Sequence, residues 1–415
     1  MRNPLPHIVL QHAEESANLC SMRSVLITAP HVRLHALRRL DERLAAHLDG
    51  LAVAGEFGWG LCEAALAEGA AGETFTACVR AIEDGNAAAL EQVLAQAEAL
   101  PTAHAGAASA FSWVSAQWLK GLTRGLLDSP SAFRRALGIV ACVSHQVDPG
   151  GALVAALSDP DPFLRARALH AAGECGRIDL RDACAAALSD EEESCRFHAA
   201  ASLALLGRQD AAQAALQRVA MAPGPHRRAA LALLLSQGSP AQTSALLKTL
   251  FDDAGSLRAL VQGIGFAGDP RFVPWLIERM ADPKLARLAG ESLCMITGLD
   301  MNAADVAGQT PEAGAQEAPE EDEMALDEDE GLPWLDASKL SAWWSAHAHG
   351  FVPGVRYFLA APPSASHCLA VLRSGYQRQR IAAARHLCLL QPGSKLFPTA
   401  APAWRQQRWL DAMSA

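Results

Sequence analysis

The chain has 415 residues, enough for two or three domains or one extended array, and half of them are hydrophobic while only 6% are aromatic. That balance favours alanine–leucine helix packing over a sheet core, and no run of 18 or more apolar residues is present to cross a bilayer. The net charge of −10 is local: thirteen of the 45 acids lie between Asp300 and Asp336, where there is no Lys or Arg, leaving 32 acids against 35 bases elsewhere.

Residues 1–30 are weakly patterned, punctuated by Pro4, Pro6 and Pro30, and are expected to be a weakly ordered N-terminus. Glu14, Glu15 and Asn18 interrupt what would have to be the apolar core of a secretory leader, so none is expected. Ten cysteines without a Cys-x-x-Cys pair point to small buried hydrophobes in a reducing compartment, and the cytoplasm is the expected location. Residues 31–110 read as helical hairpins: Leu34, Leu37, Leu40, Leu44, Leu48 and Leu51 fall at helical steps, and breaks follow at Gly69–Gly72 and Asp84–Asn86. His31 and His35 share a helix face but lack a third ligand, so no metal is expected. Trp113 and Trp118 are read as packing residues.

Residues 111–299 form an array whose period holds from Asp128 to Gly298. Arg134, Arg165, Arg196, Arg227, Arg258 and Arg287 recur at steps of 31 and finally 29, and Gly176, Gly207, Gly238, Gly268 and Gly298 close the rows. Acidic turn residues open rows at Asp128, Asp159, Asp190, Asp252 and Asp282, with Met221 in the odd row. One row reads as a helix over Gly151–Leu157, an Asp-Pro turn that stops it and starts the next helix over Phe163–Ala172, then a left-handed exit at Gly173 and Gly176. Such a pair cannot bury its apolar face alone, but a stack of three or more can. The fold class expected is all-α, an α-solenoid with a period of about 31 residues. The recurring arginines are structural positions that reach a turn acid or carbonyl of an adjacent row.

The rows resemble HEAT repeats of the short, Asp-Pro-rich variety. Upstream, Leu40–Gly55, followed by Gly58-Trp59 and Cys62-Glu63, resembles the opening of a proteobacterial HEAT-repeat family encoded beside type VI secretion effectors. The resemblance covers about 25 residues and implies a cytoplasmic immunity protein whose partner is a cognate secreted effector toxin, a nuclease. An assembly scaffold or effector-loading adaptor is the alternative, and a bilin-lyase-like enzyme, suggested by similar short repeats, ranks last.

Residues 300–336 break the period as an acidic insert expected to be disordered, with nine acids between Glu317 and Glu330. Two readings of the insert stay open: a solvated, solubilising linker, or a phosphate mimic in which Glu317, Glu320, Glu321, Asp322, Glu323, Asp327, Glu328, Asp329 and Glu330 are candidate partner-binding carboxylates anchored by Met324, Leu326 and Trp334. Residues 337–415 are expected to add one row at His367–Gly393, with Arg380 three 31-residue steps beyond Arg287, and a cap carrying Trp404 and Trp409. Gly263–Gly268 matches a dinucleotide-binding string, but it falls at a row's closing turn and not after a strand. No His-Glu-x-x-His, Gly-x-Ser-x-Gly or P-loop is present, so no catalytic residue, cofactor or small-molecule substrate is expected. Arg227-Arg228 and Arg378–Arg385 are scattered surface charges that do not make a basic stripe, which argues against nucleic acid as partner. A membrane partner is not expected either.

Overall fold

Asp-Pro and Ser-Pro steps start helices here because their side chains cap while proline fills the first turn. Asp161 accepts from the amide of Leu164 at 3.0 Å with Pro162 at the first position, and Ser239 makes a reciprocal capping box with Gln242 ahead of Pro240. A computed structural model describes residues 4–303, 305–310 and 327–413. Among these residues the chain is an all-α solenoid of paired helices, without strands and with three isolated β-bridges. It divides into two units: residues 1–28, 32–208 and 372–415, and residues 29–31 and 209–371.

The first unit holds α1 (Pro6–Leu26), α2 (Leu34–Ala54), α3 (Glu56–Ala65), α4 (Ala71–Glu83), α5 (Ala87–Ala99) and α6 (His104–Trp113). It continues through α7 (Leu122–Leu127), α8 (Ala132–Ser144), α9 (Gly151–Ala156), α10 (Pro162–Glu174), α11 (Arg181–Ala186) and α12 (Glu193–Leu205). An inner ladder runs α1, α4, α6, α8, α10, α12, each packed on the next. Small residues let these axes close up. A Cβ at Gly106 would lie 2.1 Å from the Ala71 carbonyl oxygen. Gly173, expected in a left-handed exit, lies instead inside α10 and admits Ser202, whose hydroxyl donates to the Leu169 carbonyl at 2.6 Å. Within the described part of residues 1–30 the chain forms a long helix in place of the weakly ordered segment expected: α1 is 21 residues long and buries Val9, Ala13, Ser16, Ala17, Leu19 and Cys20. Its inner face is built largely of Ala, Ser and Cys, which leaves little hydrophobic period to read.

The second unit holds α13 (Gln209–Met221), α14 (Arg227–Gln237), α15 (Pro240–Asp252), α16 (Leu257–Ala267), α17 (Val273–Arg279), α18 (Pro283–Thr297) and α19 (Ala337–His347). The ladder here is α14, α16, α18, and Ser292 repeats the Ser202 contact by donating to the Val261 carbonyl at 2.9 Å. The Gly263–Gly268 string lies on α16 and at its left-handed cap. Gly268 (φ 71°) is needed because the Tyr357 carbonyl approaches it, and the amide of Tyr357 donates to the Gly268 carbonyl at 2.8 Å. Gly238 closes its row with an ordinary φ of −58°, unlike the left-handed Gly176, Gly207, Gly268 and Gly298.

The region after the insert departs from expectation. His367–Gly393 forms α20 (Ala365–Ser374) and α21 (Gln377–Leu390), and from Leu372 onward the chain belongs to the first unit, where α21 packs on α12. Arg380 is fully buried and donates to the Leu372 carbonyl at 2.7 Å, as row arginines do to upstream carbonyls, but its other partners are Gln377 and Gln406 and not a turn acid. Burial pulls it down to about 10. The last helix, α22 (Ala403–Ala412), lies on α2 and also meets the α20–α21 pair, where Gln406 accepts from Arg380 and the Leu410 carbonyl accepts from Arg373 at 2.8 Å. Asp41, on α2 and wholly buried, accepts from the Arg23 Nε and from the Ala403 amide, both at 2.7 Å. Arg405 donates to the carbonyls of Ser112, Trp113 and Val114 at 2.7, 2.9 and 2.8 Å.

His145 meets this C-terminal segment. Burial, and then the neighbouring Arg405 cation, push its imidazole down to about 4, while its bond to the Phe111 carbonyl opposes the shift. In the unfolded chain the group protonates near 6.5. The unfolded state therefore holds one more proton between those values, so stability falls as pH drops from about 6.5 towards 4. Urea denaturation of the native chain and of His145→Gln across this window is expected to show a steeper loss in the native chain. Equal slopes would contradict the assignment. The ten cysteines are free, nine of them buried, and burial pushes Cys20, Cys62 and Cys78 up to about 12, as expected of packing residues.

Candidate functional site

The row arginines tie turns together along the array, and two of them, Arg258 and Arg287, also hold the acidic segment. In the first unit Arg165 donates to Asp190, the turn acid of the next row, at 2.9 and 3.0 Å, and to two carbonyls of its own turn, Asp159 and Pro160. Arg135 does the same with Asp159 at 2.7 Å and with the Ser129 and Pro130 carbonyls. The slot in that row therefore belongs to Arg135. Arg134, its predicted occupant, turns instead to Glu91 and Glu98. Two adjacent arginines fit the period within one residue, and only the cap at Ser131, four positions before Arg135, separates them. Arg196 donates to the Asp190 and Glu191 carbonyls, and its next row opens on Met221 where an acid would stand. The Arg165 bond is also the largest influence holding the Asp190 carboxyl below its ordinary range.

In the second unit the arginines keep the sequence period but not the geometry. Arg227 is the first residue of α14 and donates to the Ala220 carbonyl and the Ser256 hydroxyl. Arg258 and Arg287 are taken by the end of the acidic insert. Arg258 donates to both oxygens of Asp329 at 2.8 and 2.6 Å and reaches Glu328 at 3.5 Å. Arg287 donates to Asp327 at 2.7 Å and to the Asp329 carbonyl at 3.0 Å, with its guanidinium 5.4 Å from the Trp334 ring centre. Burial pushes the Asp327 carboxyl up, but the Arg287 bond, the Asp329 amide and the charges of Arg287 and Arg258 draw it below the ordinary range.

The insert is thus built into the second unit at both ends, contrary to the expectation of disorder across 300–336. Met301, Val306 and Leu332 are buried, Asp329 is 4% exposed, and the amides of Gly308 and Asp336 bond to the Trp334 and Val306 carbonyls beside the Ala307–Leu335 bridge. Among the candidates, Asp327, Glu328, Asp329, Glu330 and Trp334 are described; Glu317, Glu320, Glu321, Asp322, Glu323, Met324 and Leu326 lie outside the described residues. Sequence reasoning treated Asp327–Asp329 as free carboxylates. The available signal was that Arg287, last in the array, has no following row to supply its acid. A double-mutant cycle on Arg258→Ala and Asp329→Asn is expected to give a coupling of about 1–3 kcal/mol by chemical denaturation. Additive effects would contradict the pairing.

Among the described residues no group of three or more His, Cys, Asp or Glu is placed to hold a metal ion, and no helix is long and apolar enough to cross a membrane. What the rows offer is guanidinium–carboxylate forks fixed within the chain along paired helices.

Residues 151–236 match the family of HEAT repeats. The matched HEAT span runs from α9 through α14 and includes Arg165, Arg196 and Arg227. A solved structure described as the crystal structure of an engineered protein, from the Northeast Structural Genomics Consortium, is similar at 14% identity over 92% of this chain and 99% of that one, with a TM-score of 0.33. A comparison with the curated proteins finds no match.

Proposed function

We propose that the chain is a cytoplasmic immunity protein that binds and neutralises a secreted toxin, a nuclease, one to one and without catalysis of its own. The observation that carries this is the anchored acidic segment. Its base is fixed on Arg258 and Arg287, while Glu317, Glu320, Glu321, Asp322 and Glu323 put five carboxylates into seven positions of the stretch between the two fixed ends. A nuclease groove is positive because it binds phosphates, and opposed charges speed encounter and resist wrong partners. HEAT-repeat rows add a broad helical surface for the remaining contact.

The resemblance at Leu40–Gly55 supports the same reading, and more narrowly it is to TsiT, the immunity partner of the nuclease toxin TseT. In this chain that stretch builds α2 and its corner into α3, where Gly55 takes φ 57° and Gly58 abuts the Leu51 carbonyl.

Co-expression of the chain with the product of the adjacent effector gene tests the function. The expected result is rescue of growth and an equimolar complex free of nuclease activity. A complex that retains toxicity would favour an effector-loading adaptor, and absence of binding would end both readings.

A further inference from the structure

The first unit contains a second feature with binding chemistry. A cleft of about 580 Å³ opens between α2, the end of α6 and α22, within the range of about 300–1,000 Å³ usual for binding sites. Its apolar wall is tryptophan. Trp113 is 6% exposed and meets Trp404 edge-to-face at 5.0 Å, and Trp409, also lining the cleft, is braced edge-to-face against Phe397 at 6.2 Å. Rings held in this way lose little freedom when a ligand covers them.

The charges are unequal in their commitments. Arg405 is buried and donates to three neutral carbonyls. Arg408, one helical turn away, is exposed and has no carboxylate partner among the described residues. Of the two acids in the lining, Glu83 is already bonded to Arg80, and Asp49 is exposed on α2. His145, also in the lining, is neutral at physiological pH and adds no charge. With Glu83 answered by Arg80, Asp49 is the one acid left in the lining against Arg405 and Arg408, so the balance of charge in the cleft is positive, and it stands beside an aromatic wall. Tryptophan and arginine together are the side chains that most often anchor protein interfaces.

We propose that this cleft holds a peptide segment of a protein partner in which an acidic residue flanks an aromatic or leucine side chain. The apolar side chain lies among Trp113, Trp404 and Trp409, and the carboxylate meets Arg408. The inference rests on the protein-binding reading above and adds a second contact point to it, on the first unit.

The test uses the full chain and a fluorescein-labelled tetrapeptide, Glu-Trp-Leu-Glu, capped at both ends and followed by fluorescence anisotropy. Gln-Trp-Leu-Gln and Lys-Trp-Leu-Lys serve as charge controls. Saturable binding of the acidic peptide is expected, weaker binding of the neutral one and none of the basic one. Arg408→Glu and Trp404→Ala should each weaken binding about tenfold or more, while Lys248→Glu, on α15, should not. Circular dichroism confirms that the variants fold. Preference for the basic peptide, equal binding by Arg408→Glu, or no saturation at about millimolar peptide would overturn the proposal. A chain that fails this test yet still neutralises the toxin loses the cleft and keeps the protein-binding reading.

Discussion

Asp41→Ala is expected to destabilise the first unit by about 3–5 kcal/mol, because it strands a cation and an amide inside the protein. Asp41 has no exposed surface, and it is the acceptor for both Arg23 and the Ala403 amide. Burial raises the carboxyl above its ordinary range despite the pull of Arg23. The pair therefore adds little beyond what an apolar pair of the same shape would give, yet removing one member is costly. Asp41→Asn, which keeps an acceptor oxygen, should lose less. Chemical denaturation measures the loss, and limited proteolysis should show earlier cleavage within residues 395–413. An unfolding midpoint unchanged in Asp41→Ala would contradict the arrangement.

Arg405→Ala should produce a loss of similar size by a different route. The last carbonyls of a helix need partners from elsewhere. At the end of α6 those of Ser112, Trp113 and Val114 are satisfied by one guanidinium. Without it they are buried acceptors with nothing to accept, at about 1–3 kcal/mol for each group left dry. Arg405→Lys should recover only part of the loss, because an ammonium lacks the planar fork that reaches three acceptors. Burial holds Arg405 down to about 10, so it remains charged at neutral pH and electrostatic rescue by salt is not expected. Full recovery by lysine, measured in the same denaturation experiment, would contradict this geometry.

Both residues lie outside the periodic array, and that explains what could be read in advance. The rows were legible because their turn acids, arginines and glycines repeat at nearly constant spacing, and caps such as Asp161-Pro162 mark where each second helix begins. Arg135 was missed by one position because its neighbour Arg134 satisfies the same spacing. Helix α1 was missed because its buried side is largely Ala13, Ser16, Ala17 and Cys20, a pattern too weakly apolar to stand out. The return of the C-terminal segment to the first unit rests on contacts such as Asp41 with Ala403, 362 residues apart, and no local pattern records them. At the candidate site the acid-rich composition was plain. That Asp327 and Asp329 are already engaged by Arg287 and Arg258 was not, because the arginines carry the same period whether their acid comes from the next row or from the insert.

The division within the insert sharpens the functional claim. Asp327 and Asp329 hold the base, so beyond the exposed Glu328 and Glu330 the charge available to a partner comes from the carboxylates at Glu317–Glu323 ahead of them. Stopped-flow association of the toxin with the native chain and with a chain lacking residues 311–326, measured across a range of ionic strength, tests this most directly. The account predicts that the native chain associates about tenfold or more faster at low salt and loses that advantage as salt rises. Association rates that coincide at every ionic strength would contradict it.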